Sequence, residues 1–176
     1  MKILIIGNIG SGKTTLGKKI QENTSYKFVQ IDELRQKYLE GKVSEEYYCL
    51  YEFLKAIEDN DNIILEFTGA GCHKFAVKRA LELASDNTIM IHCKNRDFSI
   101  ILERLKHKEL NENFPFNTDI ENHIKFIKEE LDDNTLESFW EITNSIFLNV
   151  FMDNSQDLTE SVRIIARKVK LMEDDN

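Results

Sequence analysis

Proline is nearly absent from this chain. Its 176 residues include one proline, Pro115, with seven glycines, three cysteines and a single tryptophan. So little proline and glycine excludes collagen-like, proline-rich and low-complexity chains. Cys49, Cys72 and Cys93 are odd in number, widely spaced and form no C-x-x-C pair. That argues against a zinc or disulfide framework and predicts buried, reduced thiols. No stretch approaches the roughly 20 apolar residues of a membrane span. The opening M-K-I-L-I-I-G is too short for a signal segment. A soluble, cytoplasmic protein is expected. Positive charge is also scarce: Lys plus Arg is 23 against 31 for Asp plus Glu, a net charge of −8. Broad nucleic-acid binding is disfavoured, because it needs a basic surface. What is present is 41% apolar and 31% charged residues, an ordinary globular balance that predicts one domain over residues 1–176.

The periodicity alternates between two patterns. Short apolar runs at Lys2 to Ile6, Lys27 to Ile31, Asn62 to Phe67, Thr88 to Cys93 and Ser145 to Met152 read as buried strands. Helical patterns run between them: Lys13 to Glu22, a helix capped by Asp32, Ser44 to Asp59, Cys72 to Ala84 and Asp97 to Leu110. Thr118 to Glu141 reads as one long helix, with a break expected near Asp133 and Asn134, and Asp157 to Met172 as the last. In Ser44 to Asp59 the residues Tyr47, Leu50, Tyr51, Leu54 and Ile57 share one face. Glu173, Asp174 and Asp175 form an acidic tail expected to be solvated. Strands alternating with helices predict an α/β fold with a parallel sheet, right-handed crossovers and ligands at the carboxyl ends of the strands.

The scarce glycine is concentrated at one place. G-N-I-G-S-G-K-T, Gly7 to Thr14, matches G-x-x-x-x-G-K-[ST] between an apolar strand and a helix. In such a loop backbone N–H groups turn inward around phosphate oxygens at a helix N-terminus. Gly7, Asn8, Ile9, Gly10, Ser11, Gly12, Lys13, Thr14 and Thr15 are therefore the expected ATP-binding residues. Lys13 would reach the β- and γ-phosphates, and the Thr14 hydroxyl would bind Mg²⁺.

The chain resembles the P-loop small-molecule and nucleotide kinases, the group similar to adenylate kinase, in strand and helix order along nearly its whole length. The resemblance implies a three-layer fold with a five-stranded parallel sheet of order 2-3-1-4-5. It implies ATP and Mg²⁺ as cofactors and transfer of the γ-phosphoryl group to a small-molecule hydroxyl or phosphate acceptor. It places acceptor binding in a helical region at about 32–60 and a lid at about 96–120. I-D-E-L-R, Ile31 to Arg35, is similar to the D-x-L-R of adenylate kinases and the D-D-x-R of polynucleotide kinases. Asp32 would take or orient the acceptor proton, and Arg35 would fork onto an acceptor phosphate. I-I-L-E-F-T-G-A-G, Ile63 to Gly71, ends its strand on Glu66, a Walker-B-like position suited to Mg²⁺ or to the base role. Where adenylate kinases carry an arginine, Thr68 and Gly69 stand. Ile101 to Lys108 resembles the helix leading into the lid, with Arg104 as its best phosphate-facing match and Arg96 as a further candidate. Asn111 to Asn117 stands in place of a long lid, and Asp153 to Ser155 falls where the family has an adenine-contacting loop.

Several readings stay open. Asp32 and Glu66 compete for the base role, with Asp32 preferred. Tyr47, Tyr48, Tyr51, Phe53 and Phe67 suit either an acceptor pocket or, as a helical set, the core. His92 reads as a packed residue, and the histidines and cysteines show no metal-ligand spacing. D-x-x-R also admits a polynucleotide 5′-hydroxyl kinase. E-F-T-G, Glu66 to Gly69, faintly resembles the D-x-x-G of nucleotide switches, but the guanine-reading N-K-x-D is replaced by C-K-N-R-D.

Overall fold

The structure, a computed structural model, describes residues 1–38, 43–111, 120–132 and 134–174. Five parallel strands form one sheet in the order β2-β3-β1-β4-β5. They are β1 (Lys2–Gly7), β2 (Lys27–Gln30), β3 (Ile63–Glu66), β4 (Thr88–Lys94) and β5 (Ser145–Phe151). The helices are α1 (Lys13–Glu22), α2 (Ile31–Tyr38), α3 (Val43–Asp59), α4 (His73–Ala84), α5 (Phe98–Asn111), α6 (Ile120–Leu131), α7 (Leu136–Trp140) and α8 (Ser155–Asp174). Both the sheet and its order are those expected from the sequence.

β1 is apolar on both faces because it lies at the centre, with Leu4 paired to Leu65 of β3 and to Met90 of β4. Leu4 and Ile6 join Phe53, Ile57 and Trp140 in the core on one face. Ile3 and Ile5 join Leu16, Ile20 and Ile165 on the other. α1 lies so close to β2 that a Cβ on Gly17 would stand 2.3 Å from Phe28 Cζ. That contact fixes the axis of the helix the phosphate loop opens. The loop thus leaves the middle of the sheet, at the carboxyl ends of the strands, where an open α/β sheet offers its crevice.

Several local expectations are corrected. Ile31 begins α2 rather than ending β2, so Asp32 lies in the first helical turn instead of capping it from outside. The buried side of α3 is Cys49, Phe53 and Ile57, while Tyr47 and Tyr51 are 78% and 60% exposed. Leu50, Leu54 and Ile57 of the expected face do pack on the core, and only its two tyrosines turn to solvent. The break expected near Asp133 and Asn134 is present, since Asn134 lies in a turn between α6 and α7, while Asp133 itself lies outside the described residues. Cys49 and Cys93 are buried as expected, but Cys72 is exposed. α8 extends to Asp174, and Glu173 accepts a hydrogen bond from Tyr26 Oη at 2.6 Å, so the acidic end is tied down. Most of the Asn111 to Asn117 segment lies outside the described residues, as do 39–42 in the acceptor-binding region.

Candidate active site

The phosphate loop is held by its glycines and by bonds to the neighbouring strand ends. Gly7 has φ +151°, and a Cβ there would stand 2.7 Å from both the Cys93 carbonyl oxygen and Ser11 Oγ. Only glycine allows that approach. Gly12, at φ 100° and ψ 9°, turns the chain into α1. Gly7 N–H donates to Thr68 O at 3.1 Å, which ties the loop to the segment after β3. Asn8 is buried; its Nδ2 donates to Ile124 O at 3.0 Å and its Oδ1 accepts from Ile9 N–H at 2.8 Å. Asn8 thereby fastens the loop to α6. Ser11 Oγ is buried and makes no hydrogen bond.

Three polar side chains meet at the head of α1. Lys13 Nζ donates to Asn8 O at 2.8 Å and lies 3.9 Å from Glu66 Oε1. Thr14 Oγ1 donates to the same Glu66 oxygen at 3.1 Å. Lys13 and Glu66 are both buried, and two opposite charges so enclosed persist only as a bonded set. Oxygen donors from a hydroxyl and a carboxylate are what a hard divalent cation takes, so Thr14 and Glu66 fit Mg²⁺. Among the described residues no group of three or more His, Cys, Asp or Glu side chains gathers as a metal cluster. Behind the loop, burial pushes the Cys93 thiol up to about 12, Lys13 opposing and Glu66 adding to the shift. Cys93 is therefore an inert core thiol.

These groups face a cleft of about 500 Å³. The phosphate loop and the start of α1 line it at Ile9, Gly10 and Gly12 to Thr15, together with Ile31 and Asp32 of α2 and the end of β3 from Glu66 to Thr68. Arg104 of α5 and Met152, Asn154, Ser155 and Leu158 of the β5–α8 segment complete the lining. Asp32, Glu66, Lys13 and Arg104 are thus brought to one cavity from four separate parts of the chain. Gly7, Asn8 and Ser11 shape the loop from beneath. Of the aromatic set only Phe67 lines the cleft, while Tyr47, Tyr48 and Tyr51 face outward.

Arg35 does not line the cleft but stands behind Asp32. Its Nη1 donates to Asp32 Oδ1 at 2.8 Å, and its Nε lies 3.0 Å from each oxygen of Glu46. Burial alone would lower its pKa, but the bonds and charges of Glu46 and Asp32 outweigh it and the shift is upward. His73 Nε2 lies 3.4 Å from Glu46 Oε1. Burial lowers the His73 pKa, opposed by Glu46 and assisted by Arg35, so the imidazole is neutral at pH 7. Neither Glu46 nor His73 carries a local signal in the sequence, since both reach the site through tertiary packing.

Arg104 spans the nucleotide end. Its Nη1 donates to Gly10 O at 3.2 Å, and its Nη2 donates to Met152 O at 2.6 Å and Asp153 O at 3.0 Å. It joins the phosphate loop to the β5–α8 segment. Arg96 pairs with Asp153 at 2.7 Å and Asp157 at 2.9 Å, with its guanidinium 4.3 Å from the Phe151 ring centre. Met152 and Leu158 were not anticipated as site residues; a Cβ on Gly12 would come within 3.2 Å of Met152, so the cleft floor and wall touch there.

Comparison with known proteins agrees with this geometry. A family model described as ethanolamine utilisation - propanediol utilisation matches residues 1–70, which hold the phosphate loop, Asp32 and Glu66. The bifunctional shikimate kinase/3-dehydroquinate synthase of Thermotoga maritima is 30% identical over 115 residues, 60% of this chain and 22% of that protein. The chain thus matches about a fifth of that relative's length. A deoxyadenosine kinase from M. mycoides superposes with a TM-score of 0.61 at 16% identity, covering 98% of this chain and 100% of that one. A shikimate kinase from Acinetobacter baumannii gives 0.60 at 15% identity over 95% and 94%. With its sheet order and its phosphate loop at the sheet centre, the chain has the fold of the P-loop small-molecule kinases.

Proposed function

We propose that this chain is an ATP- and Mg²⁺-dependent kinase that moves the γ-phosphoryl group to a small, nucleoside-like or sugar-like acceptor. The observation that carries the reading is the Lys13–Thr14–Glu66 cluster at the head of α1, inside a cleft that also contains Asp32. The shikimate and deoxyadenosine kinases of the same fold support it. Transfer of a phosphoryl group is mostly positioning and charge stabilisation. The phosphate loop and the N-terminus of α1 hold the triphosphate, and Lys13 neutralises charge between the β- and γ-phosphates. Thr14 and Glu66 would hold Mg²⁺, which supplies Lewis-acid stabilisation of the phosphoryl oxygens. Asp32 accepts the acceptor's hydroxyl proton as that oxygen bonds to the γ-phosphorus. The bond from phosphorus to the bridging oxygen breaks, its electron pair staying on ADP. Arg104 holds the β5–α8 wall against the nucleotide.

Acceptor recognition falls to the region 32–60 and closure to the region 96–120. The test is ADP formation measured with and without a panel of nucleosides, nucleotides, sugars and a short oligonucleotide with a free 5′-hydroxyl. Acceptor-stimulated ADP formation is expected with a small molecule. Slow hydrolysis that no acceptor stimulates would instead mark a nucleotide switch.

A further inference from the structure

The charge arrangement behind Asp32 bears on what kind of acceptor the cleft takes, and rests on the kinase reading above. Asp32 and Glu66 both line the cleft, Glu66 beside Thr14 and Lys13. A cation does stand nearby, but it is committed: Arg35 bonds Asp32 through Nη1 and Glu46 through Nε. One guanidinium against two carboxylates leaves a negative excess, and His73, packed on Glu46, is neutral at pH 7. Lys13 is matched by Glu66 and committed to the phosphate loop. Arg104 is bonded to carbonyls at the opposite end. Among the described residues, therefore, no cation at the acceptor end is left over for an acceptor's own negative charge.

We infer that the acceptor is a neutral polyhydroxyl compound, phosphorylated on an alcohol, rather than a phosphate or carboxylate. Carboxylates accept hydrogen bonds from hydroxyls without desolvation conflict, and Asp32 with 55% of its side chain exposed is open to one. An anionic acceptor meets Asp32 and the ATP phosphates together, and like charges in a partly dry cleft repel strongly. Arg35 in this arrangement is a positioning residue that orients the Asp32 carboxylate.

Matched pairs isolate charge from shape: 2′-deoxyadenosine against its 5′-monophosphate, and glucose against gluconate. The two pairs also separate a nucleoside from a sugar as the source of the hydroxyl. The readouts are acceptor-stimulated ADP formation and binding of each compound to protein saturated with Mg²⁺ and a non-hydrolysable ATP analogue. In each pair that binds or reacts, the neutral member should exceed its charged partner by about tenfold or more in kcat/KM or affinity. Glu46→Gln, which releases part of the Arg35 charge, should shift that ratio several-fold toward the charged member while Tm stays close to the parent's. A charged member that equals or beats its partner overturns the inference, as does a ratio that Glu46→Gln leaves unmoved, or a failure of all four compounds to bind or react. Failure of the protein to bind the ATP analogue would overturn the kinase reading itself, which separates the two.

Discussion

Around the phosphate loop, Lys13, Glu66, Asn8 and Ser11 are all buried, and their bonds run within the loop, to the end of β3 and, from Asn8, to α6. At the end proposed for the acceptor, Asp32 is half exposed and is set by Arg35, whose own partners come from α2 and α3, with His73 of α4 beside them. The first end is made of backbone turned inward at the centre of the sheet. The second is made of charged side chains on helices outside its edge. A site of the first kind binds one invariant ligand class, phosphate, and gains strength from low dielectric. A site of the second kind can change its partner by exchanging side chains without disturbing the sheet. The difference explains how relatives of one fold carry names with different acceptors.

Substitutions at the two ends should separate these roles. Lys13→Met has the largest expected effect. It removes the loop's cation and leaves buried Glu66 without its counter-charge, so kcat should fall by about 10²-fold or more, read as ADP formation. Asp32→Asn keeps the shape of the acceptor end but removes the base, and kcat should fall about 10²-fold with the KM for ATP little changed. Full turnover in that variant would leave the base role to Glu66. Gly7→Ala tests the backbone construction of the phosphate end. The new methyl meets Cys93 O and Ser11 Oγ at 2.7 Å, so urea unfolding should show a loss of about 1–3 kcal/mol together with weaker ATP binding.

A pH experiment probes the core beside the loop. His92 is 3% exposed, and burial first, then Lys94, lowers its pKa from 6.5 to about 4, with Asp132 and Asn149 opposing. The unfolded chain binds this proton more readily, so stability is whole above about pH 6.5 and declines as pH falls toward 4. Thermal unfolding between pH 7 and 4.5 should show that decline, and His92→Asn should flatten part of it. The smallest effect is expected at Tyr51, which faces outward from α3. Tyr51→Ala should leave kcat/KM within about twofold and stability within about 0.5 kcal/mol; a large loss of acceptor affinity would bring α3's aromatic face into the acceptor site.

Legibility in the sequence follows the same division. The phosphate loop could be read because a contiguous motif dictates its own geometry: Gly7 and Gly12 permit backbone conformations that other residues resist. Glu66 could be read because it ends an apolar run. A shared Mg²⁺ role with Thr14 is implied by the resemblance, but their direct hydrogen bond across 52 residues of sequence appears only when β3 pairs with β1. In α3, Leu50, Leu54 and Ile57 are read rightly as facing the core, while Tyr47 and Tyr51 are not, because tyrosine counts as apolar in a periodicity but tolerates water at its hydroxyl.

The sequence by itself determined the alternation of strands and helices, the parallel sheet and its central phosphate loop, since these follow from local period and from glycine at fixed positions. Only the tertiary structure decided that Arg35 spends its charge on Asp32 and Glu46, that Glu46 and His73 stand behind the acceptor end, and that Arg104 bridges Gly10 and Met152. Those are contacts between elements far apart in the chain, and side-chain pairing at such distances is set by how helices pack on a sheet, which local sequence does not encode.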